Sequence, residues 1–236
     1  KEISPREISD IYQELNLYEG IIYSSFFLHG KRCQVETSCH KDQDMIGIKV
    51  RSDLLTKGDL KLMVSFSYGD SGMAGGDFSK REKHTTKLSK REDGFCLLER
   101  TMDKDKYYVS IASNGDIHLE GVKDHKVFLH SQGLSQVEVT VGFLQNPTGE
   151  KTIKVDRRIP AHEVFKSSKE KWKEYWESGG IIDLHKSRDK RAKELERRII
   201  LSQYLLAIQC CGSMPPQETG LTCNSWHGKF HLEMYL

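Results

Sequence analysis

The stretch VEVTVGF at residues 137–143 places an apolar side chain at every second position. An alternation of period two is typical of a β-strand with one face buried and the other in solvent. The same pattern recurs in three other stretches: Cys33, Val35 and Thr37; Ile46, Ile48 and Val50; Leu60, Leu62, Val64 and Phe66. Many short strands without a strand–helix–strand rhythm predict a mainly β fold, an antiparallel β-sandwich.

The alternating region runs from Ile21 to about Val155. Within it, Asn114-Gly115 separates two strand-like segments, Tyr107 to Ala112 and Ile117 to Gly121. Asn-Gly is a preferred pair at the centre of a type I′ turn, because both residues tolerate a positive φ. The sequence therefore predicts that these two segments form a hairpin.

Two helices are predicted after Pro160. The first runs from Glu163 to Trp176, carries aromatic residues on a wide face and is ended by Gly179-Gly180. The second runs from about Asp189, as the N-cap, to about Cys210. Its second half is apolar on almost every side, which is typical of a helix buried between other helices.

Composition and charge exclude some classes of protein. The 236 residues include 36 basic and 34 acidic ones, for a net charge of +2, so the clustered basic footprint of a nucleic-acid partner is not expected. No apolar run approaches the ~18 residues needed to cross a bilayer, so no membrane partner is expected. The six cysteines include no C-x-x-C pair and predict neither a disulfide framework nor a zinc ribbon. No cofactor is predicted, and the compartment is left open.

The end of the chain concentrates aromatic and charged side chains. A Pro-rich turn at residues 214–220 precedes a loop that carries Trp226, His227, Lys229, His231 and Glu233 within eight residues. Aromatic faces cover the apolar side of a pyranose ring, and charged groups bind its hydroxyls. We therefore predict a carbohydrate site with Trp226, His227, Lys229 and Glu233 as substrate-binding residues. Glu218, in the turn, is either a further site residue or a structural one.

These features follow one another in a recognisable order. A β-sandwich precedes W-x-x-Y-W at Trp172 to Trp176, a long helix, Q-E-T-G-L-x-C at Gln217 to Cys223 and a Trp-His-Gly-Lys loop. The chain thereby resembles glycoside hydrolase family 65 and its six-hairpin glycosidase relatives. The resemblance covers most of the chain and is most specific from Trp172 onward.

The resemblance implies three regions. Residues 1–160 would be an N-terminal super-sandwich that is incomplete at its start, residues 161–188 a helical linker, and residues 189–236 the first helix and loop of an (α/α)6 catalytic barrel. In the family, a Gly followed five residues later by an acidic group holds a glucose unit, and Gly228 and Glu233 have this spacing. An aromatic pair and Asp commonly end the family's motif, whereas His231-Leu232-Glu233 stand here. The family's general acid would lie beyond Leu236, so no catalytic residue is assigned and this chain alone is expected to be inactive.

Three functions remain open. The resemblance implies a glycoside hydrolase that acts on α-glucosides or related oligosaccharides with inversion. The alternatives are an inverting disaccharide phosphorylase that uses inorganic phosphate and a non-catalytic carbohydrate-binding module, for which Tyr107, Tyr108 and Phe128 are candidates for an exposed aromatic row. In each case the partner is a carbohydrate, and a homodimer is left open.

A metal site is not favoured. Cys210, Cys211, Cys223, His227 and His231 are of ligand type, but their spacing lacks the recognisable pairs of a zinc site. A nucleophilic pair of Cys223 and His227 is equally unsupported, since no third group that would orient the histidine is identifiable.

Overall fold

The computed structural model describes residues 3–69, 76–118, 125–131, 133–145, 158–179 and 181–212. By its contacts the chain falls into two compact units, one made of Lys1–Tyr68 and Asp77–Lys173, the other of Gly69–Gly76 and Glu174–Leu236. In the described ranges no helix combines the length and the apolar content that crossing a bilayer requires.

The strands of the described ranges are β1 (Ile8–Asn16), β2 (Ile21–Leu28), β3 (Lys31–Cys39), β4 (Met45–Arg51), β5 (Leu62–Ser65), β6 (Tyr68–Gly69), β7 (Gly76–Asp77), β8 (His84–Glu92), β9 (Phe95–Met102), β10 (Asp105–Ser113), β11 (Asp116–His118), β12 (Lys126–His130) and β13 (Gln136–Gln145). The helices are α1 (Asp53–Thr56), α2 (Ala161–Glu177) and α3 (Ala192–Gln209), and short 3-10 turns lie at Pro5–Glu7 and Arg81–Lys83.

Two antiparallel sheets account for most of the first unit. The large sheet has the order β1-β2-β3-β4-β13-β10-β9-β8, and the small sheet has the order β11-β12-β5. The stretch at residues 137–143 lies in β13, between β4 and β10, where Val139 is opposite Ile48 on one side and Ser113 on the other. The predicted mainly β, antiparallel architecture is thus confirmed.

The hydrophobic core lies between the two sheets. Cys33, Val50 and Val139 of the large sheet form one buried cluster with Val127 and Leu129 of the small sheet. Full burial of a Val or Leu side chain contributes about 1.5–3 kcal/mol relative to leaving it exposed. The alternating apolar residues form the inner face of each sheet. Because these two faces bury each other, the sheets pack as two layers.

The hairpin prediction at Asn114-Gly115 is wrong. The strands that flank it, β10 and β11, belong to different sheets, and neither residue has the positive φ of a type I′ turn. Instead, Asn114 Oδ1 accepts a hydrogen bond from the backbone N–H of Glu138 at 2.8 Å, and the Asn114 N–H donates to the Glu138 carbonyl at 3.2 Å. These bonds to β13 hold Asn114 while the chain passes from the large sheet to the small one.

The outer face of the large sheet carries α2, which confirms the helix predicted at residues 163–176. Val164 lies so close to Gly47 of β4 that a Cβ there would be 3.0 Å from the Val164 Cβ. Ala161 and Phe165 form a second buried cluster with Ile21 of β2. A sheet position without a side chain therefore lets the helix approach the strands closely.

In the second unit, α3 begins at Ala192, with Arg191 rather than the predicted Asp189 as its N-cap. The Asp189 carboxylate accepts a hydrogen bond from the Arg191 N–H in the turn before the helix. The Tyr175 hydroxyl donates to the Gln203 carbonyl at 3.0 Å, and Ile200 is buried. Leu206, in the second half of α3, is 65% exposed, so the burial of this half between other helices stays a prediction. The ranges described contain no catalytic barrel.

Candidate functional site

The predicted carbohydrate loop lies outside the described residues. Trp226, His227, Lys229 and Glu233, together with Gly228, belong to residues 213–236, which follow the described end of the chain at Gly212. Their role in sugar binding stays a prediction. The same holds for Glu218 and for Cys223.

The aromatic row expected of a binding module is not formed by the predicted residues. Tyr107 packs against the core between the sheets, whereas Tyr108 is buried in a separate cluster with Phe95 and Leu97. Neighbouring residues of a strand point to opposite faces, so Tyr107 and Tyr108 cannot share a surface. Phe128 is only partly exposed, on the small sheet.

A buried polar cluster around Arg100 is the most unusual site in the described chain. The guanidinium is fully buried at the inner face of β9. Its Nη1 donates to Thr86 Oγ1 at 2.6 Å and to the Thr85 carbonyl at 3.3 Å, and its Nε donates to the Tyr107 hydroxyl at 3.3 Å. Its Nη2 reaches the Ser67 carbonyl at 3.5 Å. Among the described residues every hydrogen-bond partner of this cation is neutral.

Aromatic rings also stabilise the Arg100 charge. The guanidinium carbon lies 4.7 Å from the centroid of the Phe66 ring and 5.8 Å from that of Tyr107. A cation over an aromatic face is attracted by the ring quadrupole, and the attraction strengthens when water is excluded. Rings and neutral acceptors therefore replace the carboxylate that a buried arginine usually pairs with.

His125 continues this hydrogen-bonded cluster. Its Nε2 lies 2.9 Å from the Arg81 carbonyl oxygen, and its Nδ1 lies 2.7 Å from Thr86 Oγ1. A carbonyl oxygen only accepts, so Nε2 carries the proton and donates, while the Thr86 hydroxyl donates to Nδ1. His125 has a positive φ of 58°, which is uncommon for a residue other than glycine.

His84 is the exception within the cluster. It is 4% exposed, its ring stacks on His125 with 3.7 Å between centroids, and neither of its ring nitrogens has a hydrogen-bond partner. The pKa of His84 is lowered to about 4, mainly by burial and also by the nearby His125 and Arg100, while Glu82 opposes them. The ring is therefore neutral at pH 7. Because water is excluded, we assign the whole cluster a structural role that ties β8, β9 and β10 to the segments at residues 66–67 and 125.

A second polar feature is open to solvent. A groove of about 300 Å³ lies on the large sheet where β3, β4 and β13 meet, and it is lined by Arg32, Gln34, Arg51, Asp53 and Gln136. No motif in the sequence indicates this groove, although its polar residues occupy the outward positions of alternating strands. Only the strand register, which the sequence does not show, brings them side by side.

Within the ranges described, no three side chains of His, Cys, Asp or Glu lie close enough together to hold a metal ion. Three of the five residues of ligand type near the end of the sequence fall outside those ranges, namely Cys223, His227 and His231.

No protein-family model matches this chain, and no curated protein matches it either. Its fold is similar to that of a solved structure described as "Putative kojibiose phosphorylase from human microbiome", with a TM-score of 0.60 and 9% sequence identity. The similarity covers 84% of this chain and 28% of that one, so the chain spans little more than a quarter of the length of this neighbour. At so low an identity the likeness concerns the fold, and it agrees with the mainly β, antiparallel architecture that the family resemblance implied.

Proposed function

We propose that this chain is the sandwich-bearing part of a carbohydrate-active enzyme that resembles glycoside hydrolase family 65. The observation that carries the proposal is the fold similarity to a protein whose name is that of a disaccharide phosphorylase. The W-x-x-Y-W and Q-E-T-G-L-x-C segments, at Trp172 to Trp176 and Gln217 to Cys223, support it independently. In this proposal residues 1–160 are the sandwich, residues 161–188 the linker, and residues 189–236 the start of the barrel.

The substrate-binding role belongs to the loop after α3. Trp226 would cover the apolar face of a glucose unit, and His227, Lys229 and Glu233 would bind its hydroxyls. Hydrogen bonds to charged groups contribute about 1.5–3 kcal/mol each when buried. Loss of the Glu233 charge in the natural protein should therefore reduce kcat/KM by about 10- to 100-fold.

Hydrolysis of α-glucosides with inversion is the first candidate reaction. It needs a general acid that protonates the leaving oxygen and a general base that activates water on the other side of the ring. Phosphorolysis is the second candidate, and the name of the structural neighbour favours it. There, inorganic phosphate attacks the anomeric carbon in place of water, and the product is a sugar phosphate.

Product analysis separates the two reactions. The natural protein, expressed over its whole reading frame, is incubated with kojibiose and with maltose, with and without inorganic phosphate. Hydrolysis releases free glucose at the same rate in both buffers, whereas phosphorolysis yields glucose 1-phosphate only when phosphate is present. In either case Glu233→Gln should lower turnover and Glu174→Gln, at an exposed position of α2, should not. Absence of turnover with every α-glucoside tried would overturn the enzymatic proposal.

The chain of residues 1–236 alone is expected to be inactive, because the resemblance places no general acid within it. Incubation with an aryl α-glucoside tests this expectation directly. Measurable release of the phenol by this chain, abolished by Glu218→Gln or Glu233→Gln, would show that the acid lies within it after all.

A further inference from the structure

The helix α2 leaves part of the outer face of the large sheet uncovered. It lies over the end of the strands that carries Ile21 and Gly47. Four residues further along β4, on the same face, comes Arg51, which is opposite Gln34 of β3 on one side and Gln136 of β13 on the other. Gln34 in turn is opposite Ser25 of β2.

These residues form a continuous line across the sheet, which we name the Arg51 row. It consists of Tyr12, Ser25, Gln34, Arg51 and Gln136, each paired with the next on the adjacent strand. Strands lie about 4.8 Å apart, so four gaps give the row a length of about 19 Å. All five side chains are at least partly exposed, so the row is accessible to an extended ligand.

Two guanidinium groups dominate the groove at the centre of the row. Arg32 lies on the same face as Gln34, two residues away, and is therefore the diagonal neighbour of Arg51, with Cα atoms about 7–8 Å apart. Arg51 Nε donates to Gln136 Oε1. In the described part of the chain, Arg32 and the terminal nitrogens of Arg51 have no hydrogen-bond or ion-pair partner among the contacts of the structure.

The acidic groups nearby do not neutralise this pair. Asp53, at the edge of the groove, lies 3.8 Å from Lys31. In the adjacent row, Glu36 and Glu138 share Lys49, at 3.8 Å and 4.0 Å, so that row keeps one negative charge against the two positive charges of the guanidinium groups. The groove is therefore complementary to a negative charge, and arginine binds a carboxylate through two parallel N–H···O bonds.

Aromatic side chains flank the arginines on the same face. Phe27 of β2, which is 37% exposed, is opposite Arg32, and Tyr12 at the β1 end of the row is 57% exposed. Exposed aromatic faces beside hydrogen-bonding side chains suit the mixed apolar and polar surface of a sugar ring. Exposed aromatic rings beside arginines without ion-pair partners distinguish this surface from a sheet face on which every charge forms a salt bridge.

We propose that the Arg51 row, with Arg32 and Phe27, binds an acidic oligosaccharide. Arg32 and Arg51 hold a carboxylate of the ligand, the Gln34 amide binds hydroxyls, and Phe27 and Tyr12 contact the sugar rings at the β2 and β1 end. Gln136 positions Arg51, since its amide oxygen accepts from Arg51 and its amide nitrogen donates to Glu138. This site uses no residue of the predicted carbohydrate loop, so it goes beyond the proposed function.

Titration calorimetry with the chain of residues 1–236 tests the proposal. The probes are an oligogalacturonate, which carries carboxylates, and a malto-oligosaccharide of the same length, which is neutral. Oligogalacturonate should bind, and its affinity should fall as sodium chloride is raised, since screening weakens exposed charge pairs. Arg51→Gln and Arg32→Gln should each weaken binding at least tenfold, and Arg188→Gln, at an exposed arginine elsewhere, should not change it.

Three further variants distinguish this site from the predicted carbohydrate loop and from the rest of the surface. Trp226→Ala in the predicted loop should leave oligogalacturonate binding intact, whereas loss of binding in that variant would assign the ligand to the loop and overturn the proposal. Equal binding of both probes, or unchanged affinity in Arg51→Gln with an unchanged melting temperature, would also overturn it. Tyr12→Ala should weaken binding, and Tyr18→Ala, an exposed tyrosine outside the row, serves as its control.

Discussion

The imidazole rings of His84 and His125 stack in the interior of the first unit, 3.7 Å apart between centroids and inclined by 22°. His125 is fixed by a hydrogen bond at each ring nitrogen, since Nε2 donates to the Arg81 carbonyl and Nδ1 accepts from the Thr86 hydroxyl, while the nitrogens of His84 have none. A buried polar atom without a partner costs about 1–3 kcal/mol. The protein thus carries a neutral histidine beside a buried guanidinium, and this juxtaposition makes its stability depend on pH.

Protonation of His84 should destabilise the protein in mild acid. Its pKa is about 4 in the folded state and about 6.5 in an unfolded chain, so the unfolded state binds the proton first as the pH falls. The contribution of neutral His84 to the free energy of unfolding is therefore fully present above about pH 6.5 and is lost between about pH 6.5 and 4. The loss should be about 2 kcal/mol at pH 5. Urea unfolding at pH 7.5 and pH 5 measures it.

His84→Phe provides the matched variant, because phenylalanine can stack on His125 but cannot titrate. The free energy of unfolding of this variant should fall less than that of the natural chain between pH 7.5 and 5. An identical decrease in both proteins would place the titrating group elsewhere.

Arg100 should be a major stabilising residue. In Arg100→Met, the Thr85 and Ser67 carbonyls and the Tyr107 hydroxyl lose a buried donor. Removal of the buried charge offsets part of this cost, and we expect a net loss of about 3 kcal/mol in the free energy of unfolding. The urea midpoint measures the loss. Arg6→Met, at an exposed position, is the control, and an unchanged midpoint in Arg100→Met would show that the cluster contributes little.

Sequence patterns located the sandwich core because apolar alternation is a local property of each strand. The same patterns missed β1, in which the seven residues between Ile8 and Asn16 are all exposed and only backbone pairing with β2 defines the strand. The burial of Arg100 could not be predicted from the sequence either. A charged residue in a strand indicates a position that faces solvent unless its hydrogen-bond acceptors are known. The hairpin prediction at Asn114-Gly115 was wrong because it used only the local turn preference of this pair. Hydrogen bonds between Asn114 and β13 determine the path of the chain there instead.

The predicted carbohydrate loop and the Arg51 row also differ in whether the sequence alone could indicate them. The predicted carbohydrate loop could be selected from sequence because its aromatic and charged residues are close together in the chain, but it lies outside the described residues. The Arg51 row joins residues as distant as Tyr12 and Gln136, which only the register of five strands brings into one line. No spacing within the sequence could indicate that row.

Gly20 should tolerate no side chain. It has a φ of +66°, and a Cβ there would lie 2.1 Å from Trp172 Nε1 on α2. Gly30 has a similar φ of +73° but nothing within 4 Å of its Cβ position, so Gly30→Ala carries the backbone strain without the clash. Gly20→Ala should be the less stable of the two by at least about 2 kcal/mol in urea unfolding. Equal stabilities would mean that Trp172 moves aside at no cost.

Cysteine reactivity should follow burial. Cys33 and Cys96 are fully buried, and burial raises the pKa of the Cys96 thiol to about 12, so almost no thiolate forms there at pH 8. Cys210 and Cys211 are exposed at the end of α3. Since the thiolate is the reacting species, iodoacetamide should modify Cys210 and Cys211 within minutes and leave Cys33 and Cys96 at least about 100-fold slower. Peptide mapping by mass spectrometry reads each site separately, and urea should abolish the difference. Rapid modification of Cys96 in the native protein would indicate that the sheets open frequently at β9, which is the strand that also holds Arg100.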